Sequence, residues 1–223
     1  AQRFGVFDQI VVVDDVSSPA VTARPGVTLI RQTRARGSGV ARNRGLRAVT
    51  TDYVLFFDAD DALTAELPLL LADLGDDLAH RPPFDICLFR HADSRVTAEC
   101  LWGQPDWDER FWAEAGIGPG VLSEPDPATW PVLAQTANYP WNKIYRTQFL
   151  RRHRVACAPT MVHNDLPLHW LGLMRARRLL VSGRICAVHH VAPAVGPGRQ
   201  LTHRAGAVRL QLPYQVHVRR DHR

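Results

Sequence analysis

Nine residues constrain this chain more than any others: Tyr53-Val54-Leu55-Phe56-Phe57-Asp58-Ala59-Asp60-Asp61. Five apolar or aromatic residues in a row predict a strand buried on both faces, and three carboxylates then follow within four positions. In an open α/β sheet, ligands bind in the crevice beyond the carboxyl ends of the strands. Like charges this close raise one another's pKa unless a cation sits among them. A divalent metal is the natural candidate, because hard cations take carboxylate oxygens. The plain alternative is a strand ending in a polar turn, with Asp61 capping the helix that follows.

The neighbouring stretches fit an α/β domain. Ile10 to Val13 is a β-branched strand closed by Asp14-Asp15, and Val27 to Ile30 is a second strand. About a dozen residues join them, near the lower limit for a parallel crossover, so any helix between them is one or two turns long. Residues 1–9 read as the tail of a helix and a turn. Gly37-Ser38-Gly39 opens a helix through about Val49, with Ser38 as its cap. An amphipathic helix covers 64–79 and stops at Pro82-Pro83, and Phe84 to Phe89 is a further strand. Strand, helix, strand, helix, strand at this spacing argues for a doubly wound, mostly parallel sheet flanked by helices. From 91 to 135 the periodicity fades into short helices and loops, the material of an irregular acceptor-side cover. Leu166, Trp170, Leu173 and Met174 recur at helical spacing in a helix over 166–178, and 184–191 forms a late strand.

Composition excludes more than it assigns. The 223 residues carry a net charge of +5, and Lys143 is the only lysine. No apolar run reaches the roughly 18 residues of a membrane span. No secretory signal pattern opens the chain. Cys87, Cys100, Cys157 and Cys186 are far apart, which predicts free thiols and a cytoplasmic setting. A basic balance suits phosphorylated ligands or peripheral contact with an anionic inner membrane face. No basic stripe with interleaved aromatics is present, so nucleic acid is not expected as a partner.

Four segments together go further. Asp14-Asp15 ends the first strand; Gly37-Ser38-Gly39-Val40-Ala41-Arg42-Asn43-Arg44-Gly45 opens a helix; Asp58-Ala59-Asp60-Asp61 ends the third strand; and Asn164-Asp165 precedes a late helix, after Trp141-Asn142-Lys143. In this order and spacing they resemble the family 2 inverting glycosyltransferases of GT-A fold. Those carry V-D-D, a G-x-x-x-A-R-N-x-G helix, D-x-D(-D), W-N-K and E-D. The resemblance spans roughly residues 8–191. It implies a GT-A-like domain over 1–192, with a nucleotide-binding half (1–90) and an acceptor half (91–192), followed by a basic tail over 193–223.

The resemblance also implies chemistry. Sugar would move, with inversion, from a nucleotide-sugar donor (a UDP-sugar favoured) to a hydroxyl on a surface glycan or lipid-linked saccharide. A divalent metal, Mn²⁺ or Mg²⁺, would sit on Asp60, with Asp58 near the metal or the ribose. Asp14 and Asp15 would meet the base or ribose, and Arg42 the diphosphate. Asp165 would be the catalytic base that takes the acceptor proton. Trp141 and Lys143 would wall the acceptor site. Each residue has an ordinary alternative: Asn164 and Asp165 as helix caps ahead of Pro167, Trp141 as core, Arg42 and Lys143 as surface charge. Two departures stand out. The family usually has Glu at the position of Asn164. Its opening strand and helix do not precede Asp14 here, so a non-catalytic remnant serving as a binding or assembly module is the competing expectation.

Overall fold

The computed structural model describes residues 5–96 and 105–191. The basic tail over 193–223 therefore lies outside the described residues, as do Cys100 and Trp102. Eight strands and six helices follow in the order β1 (Ile10–Asp14), β2 (Val27–Arg31), α1 (Ser38–Ala48), β3 (Tyr53–Leu55), β4 (Ala62–Leu63), α2 (Glu66–His80), β5 (Ile86–Asp93), α3 (Asp106–Glu114), β6 (Leu122–Ser123), α4 (Trp130–Leu133), β7 (Lys143–Arg146), α5 (Thr147–His153), α6 (Leu166–Arg175) and β8 (Leu179–His189).

The α/β class is as the sequence predicts, with a central sheet flanked by helices. Its pairing is more mixed than expected. β1 and β2 pair in parallel as a two-stranded sheet of their own. The main sheet runs β3-β7-β5-β8-β4, with β6 also on β8. Within it only β5 and β8 are parallel; β3·β7, β5·β7, β4·β8 and β6·β8 are antiparallel. β7 enters from the acceptor half and inserts between β3 and β5, while β4 and β6 each pair antiparallel with β8.

Two local expectations change for related reasons. β3 is an edge strand bonded only to β7, so Tyr53, Val54 and Leu55 are half-buried, and of residues 53–57 only Phe56 is fully buried. The two-faced burial expected of this stretch belongs instead to β5, whose eight residues are all buried. No helix forms between β1 and β2, and the described part of the N-terminus, 5–9, is irregular rather than helical.

The core has two clusters on opposite faces of the main sheet. One gathers Ile86, Leu88, Trp112, Tyr145, Phe149 and Leu173 beneath α3, α5 and α6. The other gathers Leu67, Leu70, Leu74, Phe84, Phe89 and Trp141 under α2. Burying a side chain of this size removes it from water for roughly 1.5–3 kcal/mol each.

The two halves meet where α1 approaches the loop before α6, and one glycine permits it. A Cβ on Gly39 would lie 2.7 Å from the Asn164 Cβ and closer still to the Ala158 carbonyl oxygen. Backbone cannot yield as a flexible side chain can. Gly39→Ala is therefore expected to lower stability by about 1–3 kcal/mol. Gly75→Ala, in the interior of α2 with open space around it, is expected to raise stability by about 0.5–1 kcal/mol. Thermal unfolding of the two variants measures both signs.

Candidate functional site

The site forms where α1, the loop after β3 and the N-terminus of α6 converge. It is organised by Arg42 from the middle of α1. One guanidinium nitrogen donates to Asp58 Oδ1 at 2.5 Å and another to Asn164 Oδ1 at 2.7 Å. Asn164 in turn donates through Nδ2 to Ser38 Oγ at 3.1 Å. One α1 residue further, Asn43 exchanges two hydrogen bonds with the backbone of Cys157. Residues 42 and 43 thus tie the α1 motif, the acidic loop and the approach to Asp165 into one frame. Burial works against the charge on Arg42, but Asp58, and more distantly Asp165, more than offset it and raise its pKa. The surface-charge alternative for Arg42 does not hold.

Asn164 links the loop before α6 to α1 through one amide, which accepts from Arg42 and donates to Ser38. Ser38 is the first helical residue rather than the cap. Asp15 accepts from the two amides just ahead of α1, Arg36 N and Gly37 N, and from Gln32 Nε2.

Asp14 is likewise committed to its own loop. It accepts from Ser17 N and Val21 N and pairs with Arg31 at 3.1 Å. The Ser17 amide leads in holding its carboxyl below the ordinary value. Between them Val16 takes a left-handed φ of 66°, costly for a β-branched residue and sustained by these bonds. The structure thus gives both acids a shaping role in the turn after β1.

Asp165 sits at the N-cap position of α6, yet its side chain makes no capping bond. The cap alternative would consume the carboxylate; here it is left for other work. Burial is the first cause of its raised pKa, with its own backbone amide, Arg42, Lys143 and His163 pulling the other way. A carboxylate with a raised pKa is a better proton acceptor than an ordinary one.

Below this level lies a buried aromatic and polar floor. Trp141 and Lys143, expected as an acceptor wall, are both 0% exposed. That is a correction: they support the site from beneath. Trp141 stacks on Tyr139 at 4.7 Å and meets His91 edge-on. Lys143 Nζ donates to the Ala137 and Tyr139 carbonyls and to Asn142 Oδ1, so its stem and head are consumed in fixing the 137–142 turn. Burial pushes its pKa down to about 7. Asp108, itself buried, accepts from Trp112 Nε1 and Ala137 N and closes the floor.

Sequence reasoning missed one contact. Asp61 does not cap α2; its Oδ1 accepts from His190 N and pairs with His189 Nδ1, both at 2.9 Å. His189 also packs on Tyr139 and Trp141. The last strand is thereby latched to the acidic loop, in which Asp58 turns to Arg42 and Asp60 is exposed.

His169, four residues after Asp165, turns away from it to bond the Ala134 carbonyl. Burial holds its pKa down to about 3 and drives that of His91 below its ordinary value as well. Both are neutral when folded near pH 6, whereas the unfolded chain takes up protons as pH falls through 6.5. The unfolded state then binds more protons, so stability falls with pH from about 6.5 toward 4. Denaturant titrations at pH 7 and pH 5 are expected to show it, with a smaller drop in His169→Leu.

No group of three metal-ligating side chains gathers among the described residues. Asp60 is exposed and makes no hydrogen bond or ion pair among the described residues, and Asp58 keeps one oxygen clear of Arg42. Two oxygen ligands short of a full shell is the arrangement in which a hard divalent ion is completed by substrate phosphates and water. The donor set fits Mg²⁺ or Mn²⁺ and does not resemble a zinc cage.

This fold and this order of elements define a class, the GT-A glycosyltransferase fold. S. aureus TarS 1–349 in complex with UDP-GlcNAc superposes with a TM-score of 0.61 at 19% identity, over 83% of this chain and 50% of that one. The same protein in complex with UDP gives 0.58 at 19% identity, over 83% and 52%. The longer S. aureus TarS chain gives 0.58 at 20% identity and is covered over 31%. The present chain therefore spans about half the length, or less, of the solved structures it matches. No curated protein matches it significantly. Residues 2–80 match the model of glycosyl transferase family 2. The chain has a GT-A fold, and its likeness to glycosyl transferase family 2 rests on residues 2–80.

Proposed function

We propose that the chain transfers a sugar from a nucleotide-sugar donor, a UDP-sugar favoured, to a hydroxyl of a glycan or lipid-linked saccharide, with inversion and with a divalent metal. One observation carries the reading: Arg42 joins Asp58 to Asn164, placing the acidic loop beside an Asp165 whose carboxylate is free. Arg42 is positioned to steady the donor diphosphate, and Asp60, with Asp58, to hold the ion. A divalent ion there would offset charge on the departing nucleoside diphosphate. Asp165 takes the proton from the acceptor hydroxyl as that oxygen bonds to the anomeric carbon. The bond from that carbon to the diphosphate oxygen breaks on the opposite side, which inverts the centre. The binding of UDP and UDP-GlcNAc in the TarS structures supports the choice of donor class.

A second reading has its own observations. β1 and β2 stand as a separate sheet, Asp14 is bonded to the turn after β1 and to Arg31, and Asp15 is bonded to the segment leading into α1. Both bear on the nucleotide half, and they suit a module that keeps the fold without turning over a donor. Release of UDP from a panel of UDP-sugars separates the two. Slow Mn²⁺-dependent release, stopped by EDTA and restored by added Mn²⁺, is expected of the transferase. No release from any donor by the folded chain supports the module.

A further inference from the structure

The helix that follows Asp165 is inside out. α6 reads Leu-Pro-Leu-His-Trp-Leu-Gly-Leu-Met-Arg, and of its two polar side chains the histidine points into the core, 1% exposed. The outward stripe is apolar: Leu166, Trp170 and Met174 recur at every fourth position and are 38%, 44% and 61% exposed. A surface helix ordinarily shows the reverse distribution. At its C-terminal end Arg175 and Arg177 are exposed, and neither pairs with a carboxylate among the described residues. Residues 146–178 carry seven arginines and a single carboxylate, Asp165, and of the arginines Arg178 is paired with Asp77 and Glu124.

We propose that the outer face of α6 docks on an anionic lipid bilayer. Leu, Trp and Met in a line suit the boundary between headgroups and acyl chains, where an indole is both apolar and able to donate a hydrogen bond. Exposed arginines without partners add attraction to anionic headgroups. Another protein surface would have to be acidic as well as apolar to fit the same face. Asp165 immediately precedes the stripe, so a lipid-linked acceptor would reach the base from the surface on which the helix rests. The lipid contact itself needs no nucleotide, metal or turnover, and its test is separate from that of the transferase reading.

The test is co-sedimentation of the full chain with vesicles of phosphatidylcholine alone and of phosphatidylcholine with 30 mol% phosphatidylglycerol, without nucleotide, at low and high salt. Preferential recovery with the anionic vesicles, weakened by salt, is expected. Arg175→Glu with Arg177→Glu should lower partitioning about tenfold or more. Trp170→Ser with Met174→Ser should abolish it, and because these side chains are exposed the thermal midpoint should hold. Equal recovery with both vesicle types, or full binding by the serine variant, would overturn the proposal. So would concentration-dependent dimerisation in sedimentation velocity that is lost in the serine variant, because a second copy would then be the cover.

Discussion

Asp165→Asn is expected to lower sugar transfer by about 10³-fold while leaving nucleotide affinity within a few-fold of the parent. General-base contributions run from roughly 10² to 10⁴, and the amide cannot accept the proton. Stability should not suffer. Burial disfavours the charged carboxylate, so replacing it with a neutral isostere removes a cost, and the side chain caps no helix amide whose loss would be felt. The parent's acid limb carries the same information. Activity should fall as pH drops through a pKa above the ordinary carboxylate value of 3.8, because the base must be ionised to work. Steady-state rates against pH, beside a melting curve of the variant, measure all three. A variant that loses transfer and melts early would mean that Asp165 is structural.

The second large effect separates two acids that stand two positions apart. Asp60 is exposed and bonded to none of the described residues, so Asp60→Ala is expected to change stability by less than about 0.5 kcal/mol. Its metal-dependent affinity for nucleotide should nonetheless collapse. The loss of even an outer-shell partner costs a metal site roughly 10- to 100-fold, and a direct ligand more. Asp58→Ala should behave differently. It removes the counter-charge of a mostly buried Arg42 and loosens the frame through Asn164, at about 1–3 kcal/mol of stability. Asp58 is therefore expected to lose stability and binding together, and Asp60 binding alone. Chemical denaturation and nucleotide titration on both variants check the contrast.

Much of this was legible in the sequence because it is local. Asp58 and Asp60 follow an apolar strand, Arg42 and Asn43 sit inside a helix-opening motif, and Asp165 stands before a helix start; each is readable within ten residues. What was not legible depends on distant partners. Nothing near Tyr53 shows that β7 inserts beside it and leaves β3 at an edge. Nothing in Trp141-Asn142-Lys143 shows that the lysine ammonium is enclosed by the carbonyls of residues 137 and 139. The periodicity of α6 identified a helix, but not that its apolar stripe faces outward, because Leu168, Gly172 and Leu173 supply a second apolar face that packs on the sheet. Asp61 resembled a helix cap until its partner on β8, 128 residues away, was in place.

The most direct measurement of the central claim is isothermal titration of the chain with UDP, GDP and dTDP, each with and without Mn²⁺, repeated on Asp60→Ala. The account predicts that one nucleotide, UDP foremost, binds in the presence of the metal, and that this binding is lost in the variant while its fold is retained. A folded chain that binds none of the three with Mn²⁺ present, or that binds equally well without Asp60, would contradict it.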